Sequence, residues 1–127
     1  METLTTNGIT ISVETFYQAE HSRPLHHKYV FSYRVTIENH SSDTVQLMRR
    51  HWYILDSNGL CREVEGEGVI GQQPVLLPSE SHEYISWCPL MTEMGKMYGT
   101  FLMEKEDGTS FDAHIPEFKM VAPQKLS

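Results

Sequence analysis

The sequence predicts an all-β fold, a β-sandwich of about seven strands. Apolar residues recur at every second position in several stretches, which is the period of a half-buried strand. β-branched and aromatic residues are frequent in these stretches, and Gly, Pro, Asn and Asp separate them. No stretch keeps the apolar spacing of an amphipathic helix without a glycine or proline inside it. Stacked sheets of short strands therefore fit the sequence better than helices.

The clearest strand is predicted over residues 28–39. Its apolar face is formed by Tyr29, Phe31, Tyr33, Val35 and Ile37, which alternate with mostly polar residues. A strand with one apolar and one polar face packs one side on the core, and we predict a central strand here. An earlier strand is predicted over residues 9–16.

The first hairpin is predicted after a turn at residues 40–43. A long strand covers residues 45–56, and the segment Asp56-Ser57-Asn58-Gly59 contains residue types that tolerate positive φ. Residues 60–65 should therefore return as the hairpin partner of the long strand.

The second hairpin follows a short strand predicted over residues 82–87. Residues 97–106 and 109–115 pair around Asp107-Gly108, and Pro116 interrupts the chain before residues 118–121. Short strands joined by hairpin turns are typical of an immunoglobulin-like or fibronectin type III-like β-sandwich.

Length, charge and cysteine content restrict the class of protein. A chain of 127 residues predicts a single domain over residues 1–127, with a core at roughly 9–123. Ten Lys and Arg against 17 Asp and Glu give a net charge of -7, which disfavours nucleic acid as a partner. The N-terminus does not resemble a secretory signal, and no apolar run approaches the roughly 20 residues of a membrane span. These features predict a soluble cytoplasmic protein.

The number and spacing of the two cysteines also fit a cytoplasmic protein. Cys61 and Cys88 are too few for a disulfide framework and lie outside any CxxC spacing, so both are predicted to be reduced. The antibody signature is also missing, because Trp52 precedes both cysteines instead of lying between them.

Several motifs carry a resemblance to a known family. They begin with Arg50-His51-Trp52, Asp56, Gly59 and Glu63-Val64, and continue in Gly66-Glu67-Gly68-Val69-Ile70-Gly71-Gln72-Gln73-Pro74. Further matching positions are Pro78, Glu80, Ser81, Glu83, Tyr84, Gly95, Met97, Gly99, Met103, Asp107-Gly108, Phe111, Ile115-Pro116 and Phe118. Together these residues, over roughly 9–123, resemble the bacterial ApaG family.

The resemblance implies a fibronectin type III-like sandwich that works as an interaction domain. Members of the family occur alone in bacteria and as modules of some eukaryotic F-box proteins and of a polymerase-interacting protein. Bacterial members carry a label that links them to cobalt and magnesium resistance or efflux. Without a membrane span, such an effect would be regulatory or would act through a transporter partner. The family offers no catalytic residues or cofactor to carry over.

The glycine run Gly66, Gly68 and Gly71 has the spacing of a dinucleotide-binding loop, and Arg50 could add positive charge to it. The residues after Gly71 include two prolines and cannot form the helix that such a loop needs. Phosphate-anion binding here therefore stays the alternative to a structural loop that uses glycine for positive φ and close backbone packing.

Arg50 and Trp52 should lie on one face of their strand, with Arg49 and His51 on the other. Trp52 is predicted to anchor the core. The arginines are predicted to pair with Glu63 and Glu65 across the hairpin.

Metal-ligating residues are present without a metal-binding pattern. The candidates for a divalent cation are His26 and His27, which depart from the family pattern, but no HxH, HExxH or Cys-His spacing accompanies them. Met91, Met94 and Met97 recur at every third residue, and we interpret them as core packing rather than as thioether ligands.

No catalytic motif is present, and the sequence predicts a protein that binds rather than transforms its ligand. A free sheet edge or face could pair with another protein or with a second copy of the chain. The candidate contact residues are Phe16, Tyr17, Trp87 and Met91, because large apolar side chains contribute most of the binding energy at interfaces. A small-ligand, divalent-metal or phosphate-anion binding protein is the alternative function.

Overall fold

Nine strands account for most of residues 1–126, the part of the chain that the computed structural model describes, with side chains described up to residue 124. The strands are β1 (Glu2–Thr6), β2 (Ile9–Tyr17), β3 (Tyr29–Asn39), β4 (Val45–Asp56), β5 (Cys61–Glu67), β6 (Val75–Leu76), β7 (Ser81–Leu90), β8 (Met94–Lys105) and β9 (Ser110–Val121). Short 3₁₀ turns at Ala19–His21 and Pro24–His26 separate β2 from β3, and a four-residue helix, α1 (Pro123–Leu126), follows β9.

The strands form two antiparallel sheets. One sheet has the order β1-β2-β3-β7, and the other has the order β5-β4-β8-β9 with the short β6 paired to the end of β4. The predicted all-β sandwich is therefore confirmed, and β3 is a central strand, as its alternating pattern indicated. No helix in the described residues is long and apolar enough to cross a membrane.

The core lies between the inner faces of the two sheets. Phe31, Val35 and Ile37 of β3 are fully buried, as the alternation predicted. Trp52 is 3% exposed and meets Phe101 edge-on at 6.1 Å between ring centroids, which confirms its predicted role as a core anchor.

The two sides of the sandwich differ. On one side β1 lies against β9, and the His114 amide donates to Thr6 Oγ1 at 3.2 Å. On the other side the sheets end in β7 and β5, and a cleft separates these two edge strands. Near the end of this open side, Arg62 Nη2 of β5 donates to the Pro89 carbonyl of β7 at 2.6 Å.

Several regions depart from the predicted strands, among them β1, the two-residue strand β6 and Pro116. The N-terminal strand β1 was not predicted because its residues are polar, although Asn7-Gly8, at φ 49° and 80°, form the favoured turn of a two-residue hairpin. The predicted break at Pro116 is wrong, because β9 continues through it. The strand lies at a sheet edge and its register with β8 shifts between Met97 and Gly99, a setting in which a strand tolerates proline.

Candidate functional site

The cleft between β7 and β5 has a volume of about 340 Å³. One wall comes from β3 and β7, the other from β4 and β5, and the loop after β5 lies at the mouth. The side chains that line it include Tyr33, Arg50, Trp52, Arg62, Val64, Val69, Ile70, Tyr84, Ser86, Cys88 and Met97. The cleft thus combines apolar side chains with several polar groups, which is typical of binding sites.

Positive charge is concentrated in the cleft. Arg50 and Arg62 line it, and none of the Asp or Glu side chains that the structure describes does, although the whole chain carries a net charge of -7. Arg50 Nη1 donates to the carbonyl oxygens of Glu67 and Gly68, both at 3.0 Å. Neither arginine forms an ion pair with an acidic side chain in the described residues. Both charges can therefore act on a ligand in the cleft.

Gly66 makes room for Arg50. A Cβ atom at Gly66 would lie 2.8 Å from Arg50 Nη1 and 3.0 Å from Cζ, so only glycine lets the guanidinium lie flat against β5. The first glycine of the run thus makes room for the arginine beside it.

The rest of the glycine run forms a tight hairpin turn. The Val69 amide donates to the Gln72 carbonyl at 2.8 Å, and the Gln72 amide donates back at 3.0 Å. Ile70 and Gly71 between them have φ of 48° and 71°, and the chain then continues to β6 without a helix. A dinucleotide-type loop with a helix is therefore absent from this segment, whereas Arg50, Gly66 and Gly68 are brought together beside the cleft.

Ile70 is an unusual residue for its position. It is β-branched, lies in the left-handed region, and is 61% exposed at the cleft mouth. Such a residue is conformationally strained, and a strained exposed apolar side chain is more typical of a contact site than of the core.

The cleft wall formed by β3 and β7 carries three groups that are uncharged at neutral pH. Burial raises the pKa of Tyr84 well above its ordinary value, and it also raises the pKa of Tyr33, with Ser86 acting in the opposite direction. Burial raises the pKa of the Cys88 thiol to about 11, although Arg62 opposes this shift. The Tyr84 hydroxyl is buried and has no hydrogen-bond partner in the described residues.

His51, and not an arginine, lies beside Glu63 and Glu65. Its Nδ1 lies 2.8 Å from Glu65 Oε1, and its Nε2 lies 3.5 Å from Glu63 Oε2, on the outer face of the hairpin. The prediction that Arg49 and Arg50 pair with these glutamates is therefore wrong, because the strand turns Arg50 toward the cleft with Trp52, as the predicted parity requires.

The candidate metal ligands are not gathered. His26 ends a 3₁₀ turn, His27 follows it at φ 54°, and both are exposed. The described residues contain no group of three His, Cys, Asp or Glu side chains that could hold a metal ion. The core-packing interpretation is confirmed for Met97, which is 1% exposed, and is wrong for Met91, which is 56% exposed in the turn after β7.

Two of the four candidate contact residues share a surface. Phe16 and Trp87 lie on the outer face of the four-stranded sheet, on either side of Ser32, and are 42% and 51% exposed. Tyr17 points the other way and packs against Phe31. Sequence reasoning missed Ile85, which is 55% exposed on the same face as Trp87. A signal was present, since β7 carries apolar residues on both faces, which indicates a strand with two contact surfaces.

Fold and cleft together define a β-sandwich of two antiparallel sheets that is open on one side and has a charged cleft there. The ApaG domain family model matches residues 19–105, and the chain belongs to the ApaG family. It is 48% identical over 125 residues to Protein ApaG of Brucella canis, covering 98% of this chain and 96% of the relative. Protein ApaG of Brucella anthropi is 46% identical over 120 residues, covering 94% and 92%. The crystal structure of an ApaA protein from Bordetella pertussis superposes with a TM-score of 0.88 at 44% identity, covering 91% of this chain and 94% of that one.

Proposed function

We propose that this protein is a non-enzymatic interaction module that binds an extended segment of another protein along the free edge of β7. The observation that carries the proposal is an edge strand of ten residues that, within residues 1–126, pairs only with β3 and yet exposes Ile85 and Trp87. Long edge strands with exposed apolar residues are sites of strand addition unless the protein blocks them.

The backbone of β7 is oriented for strand addition. The Asn39 amide donates to the Glu80 carbonyl at 2.9 Å, whereas the Val30 carbonyl accepts from Gln18 beside β2 at 2.8 Å. Odd-numbered residues of β3 therefore hydrogen bond toward β7, where their partners are even-numbered. The amide and carbonyl groups of Glu83, Ile85 and Trp87 consequently point to the free edge.

The edge of the other sheet, formed by β5, is protected against strand addition, whereas the edge of β7 is not. Glu63, Glu65 and Glu67 place three carboxylates along β5, and charge of this kind discourages strand pairing. On β7, only the far end is blocked, where Pro89 lacks an amide hydrogen and its carbonyl accepts from Arg62.

The test compares two variants at one position. Ile85→Pro removes an amide hydrogen that faces the free edge and leaves the ladder to β3 intact, whereas Ile85→Thr keeps the hydrogen and shortens the side chain. Peptides of about twelve residues, selected by display on the wild-type protein, should bind Ile85→Pro at least about tenfold more weakly. The Thr variant should lose no more than about threefold.

Thermal unfolding of both variants checks that the fold is kept. Equal affinity of the selected peptides for wild type and Ile85→Pro would contradict strand addition. A dimeric mass in light scattering that Ile85→Pro converts to a monomer would instead assign the edge to a second copy of this chain, the homodimer that the sequence analysis left open.

The non-enzymatic part of the proposal is supported by the chemistry of the cleft. Tyr33, Tyr84 and Cys88 are already protonated at neutral pH at their ordinary pKa values, and burial raises each pKa further. None of them is therefore activated as a general base or a nucleophile.

Four further statements stay proposals. A cytoplasmic location is supported by the free cysteines, Cys61 exposed and Cys88 buried. A role in cobalt and magnesium resistance rests on the family resemblance, with His26 and His27 as its candidate ligands. Phosphate binding at the Gly66–Gly71 loop and the single-domain organisation over residues 1–127 stay predictions.

A further inference from the structure

We infer that the cleft binds the carboxylate of an acidic side chain, Asp or Glu, within the segment that adds to β7, with Arg50 and the Tyr84 hydroxyl as the recognising groups. This inference rests on the proposed function, because the added strand delivers the side chain. The inference adds a preference for one type of side chain to the recognition of backbone along the β7 edge.

An added strand places its side chains in register with those of β7. Side chains directly opposite each other on neighbouring strands share a face of the sheet. Tyr84 and Ser86 point inward and line the cleft, so alternate side chains of the added strand enter the same space. Arg62 and Pro89 close the edge only at its far end, so an added strand can continue past Tyr84. The side chain that enters the cleft therefore belongs to an internal residue of that strand rather than to a chain terminus.

The groups that an internal side chain meets there select for a carboxylate. Arg50 is held in place by two backbone carbonyls through Nη1 alone, which leaves its other donors for a ligand. Its positive charge acts on Tyr84, whose buried hydroxyl has no hydrogen-bond partner in the described residues. A carboxylate with two oxygens satisfies both donors, and a charge-assisted bond is strong where Trp52 and Val69 reduce access of water.

Charge outside the cleft favours a single negative charge over a phosphate. Glu63, Glu65 and Glu67 lie on the same hairpin as Arg62, and a phosphorylated side chain with about two negative charges would meet more of their repulsion.

The experiment measures affinities of three versions of a selected peptide, each acetylated and amidated: the original, one with its acidic residue replaced by Gln, and one with phosphoserine there. Tyr84→Phe removes one oxygen atom and Arg50→Gln removes the charge. Each substitution should weaken binding of the original peptide at least about tenfold and binding of the Gln version by less than about twofold. Arg50→Lys should restore part of the loss. Tyr98→Phe, on the outer face of the other sheet, is the matched control and should change neither affinity.

Because Arg50 also holds the loop after β5, Tyr84→Phe decides the outcome if Arg50→Gln loosens the fold. Three results would overturn the inference: selected peptides without an acidic residue, equal effects of Tyr84→Phe on the acidic and Gln versions, or tighter binding of the phosphoserine version. In each case a loss of binding in Ile85→Pro would leave strand addition standing. If Ile85→Pro binds as wild type does, strand addition is wrong and the inference fails with it.

Discussion

At the scale of single residues, Asn39 shows how a buried polar side chain joins the two sheets. Its Nδ2 donates to the carbonyl oxygens of Asp43 at 2.8 Å and Leu76 at 3.0 Å, and its Oδ1 accepts from the Ser41 amide at 2.9 Å. The residue is fully buried, and it links the end of β3 in one sheet to β6 in the other. Because every polar atom of the side chain is satisfied, burial costs little here.

Asn39→Ala should lower the free energy of unfolding by about 2–4 kcal/mol, because it leaves buried carbonyl groups without donors. Urea denaturation measures the change. Ser42→Ala, in the same turn but exposed, is the control and should stay within about 0.5 kcal/mol of wild type. A loss below about 1 kcal/mol for Asn39→Ala would show that other contacts hold the turn.

At the scale of elements, the loop after β5 combines a strained turn with the placement of a charge. Ile70 adopts φ of 48°, which a β-branched residue rarely does, and Gly66 keeps the surface of β5 clear for the Arg50 guanidinium. The shape of this loop therefore determines both the mouth of the cleft and the position of its charge.

Ile70→Asn should raise the free energy of unfolding by about 1 kcal/mol, because Asn-Gly is the favoured pair for a turn with two positive φ values and Ile70 is largely exposed. Ile70→Val keeps the β-branch and should change little. Urea denaturation of the three proteins makes the comparison, and a less stable Asn variant would mean that Ile70 packing outweighs its strain.

Gly66→Ala should weaken binding of an acidic peptide severalfold while it lowers the free energy of unfolding by no more than about 1 kcal/mol. The added methyl group displaces the flexible end of Arg50, not the backbone. Fluorescence anisotropy with the selected peptide measures the affinity. Gly71→Ala is the control, because it tests whether any substitution in this loop weakens peptide binding. It should chiefly lower the free energy of unfolding, since Gly71 lies at φ of 71° with open space around it.

At the scale of the whole molecule, a sandwich closed on one side and open on the other has a core that is partly shared with its binding cleft. Tyr33, Trp52 and Cys88 belong to the hydrophobic core and also line the cleft. Ligand binding and global stability are therefore linked through the same side chains, and groups in the cleft influence how stability responds to pH.

Stability should fall as the pH rises from about 9 toward 11. The folded protein holds the Cys88 proton up to a pKa of about 11, against 9.0 for a free thiol, so the unfolded chain binds fewer protons in this window and is favoured. The contribution amounts to roughly 2–3 kcal/mol over the window. Urea titrations at several pH values should show a shallower decline for Cys88→Ala and no change for Cys61→Ala, since Cys61 is exposed. Parallel declines in wild type and Cys88→Ala would assign the effect to other groups.

Much of the fold was predictable because strand periodicity is local. The alternation in β3 and the parity of Arg50 and Trp52 in β4 needed no knowledge of neighbouring strands, since successive side chains must point to opposite faces. The turn at residues 56–59 likewise followed from residue types that tolerate positive φ. Pro116 was misjudged because its tolerance depends on an edge position and a register shift against β8, which involve a second strand.

The sequence by itself determined which side chains face inward and where most strands lie. Only the tertiary structure decided that His51 takes the glutamates, that β7 keeps a free edge, and that Arg50 meets Tyr84 in one cleft. The physical reason is that a period of two residues selects a face, whereas pairing order and the packing of one sheet on the other select neighbours across long stretches of chain.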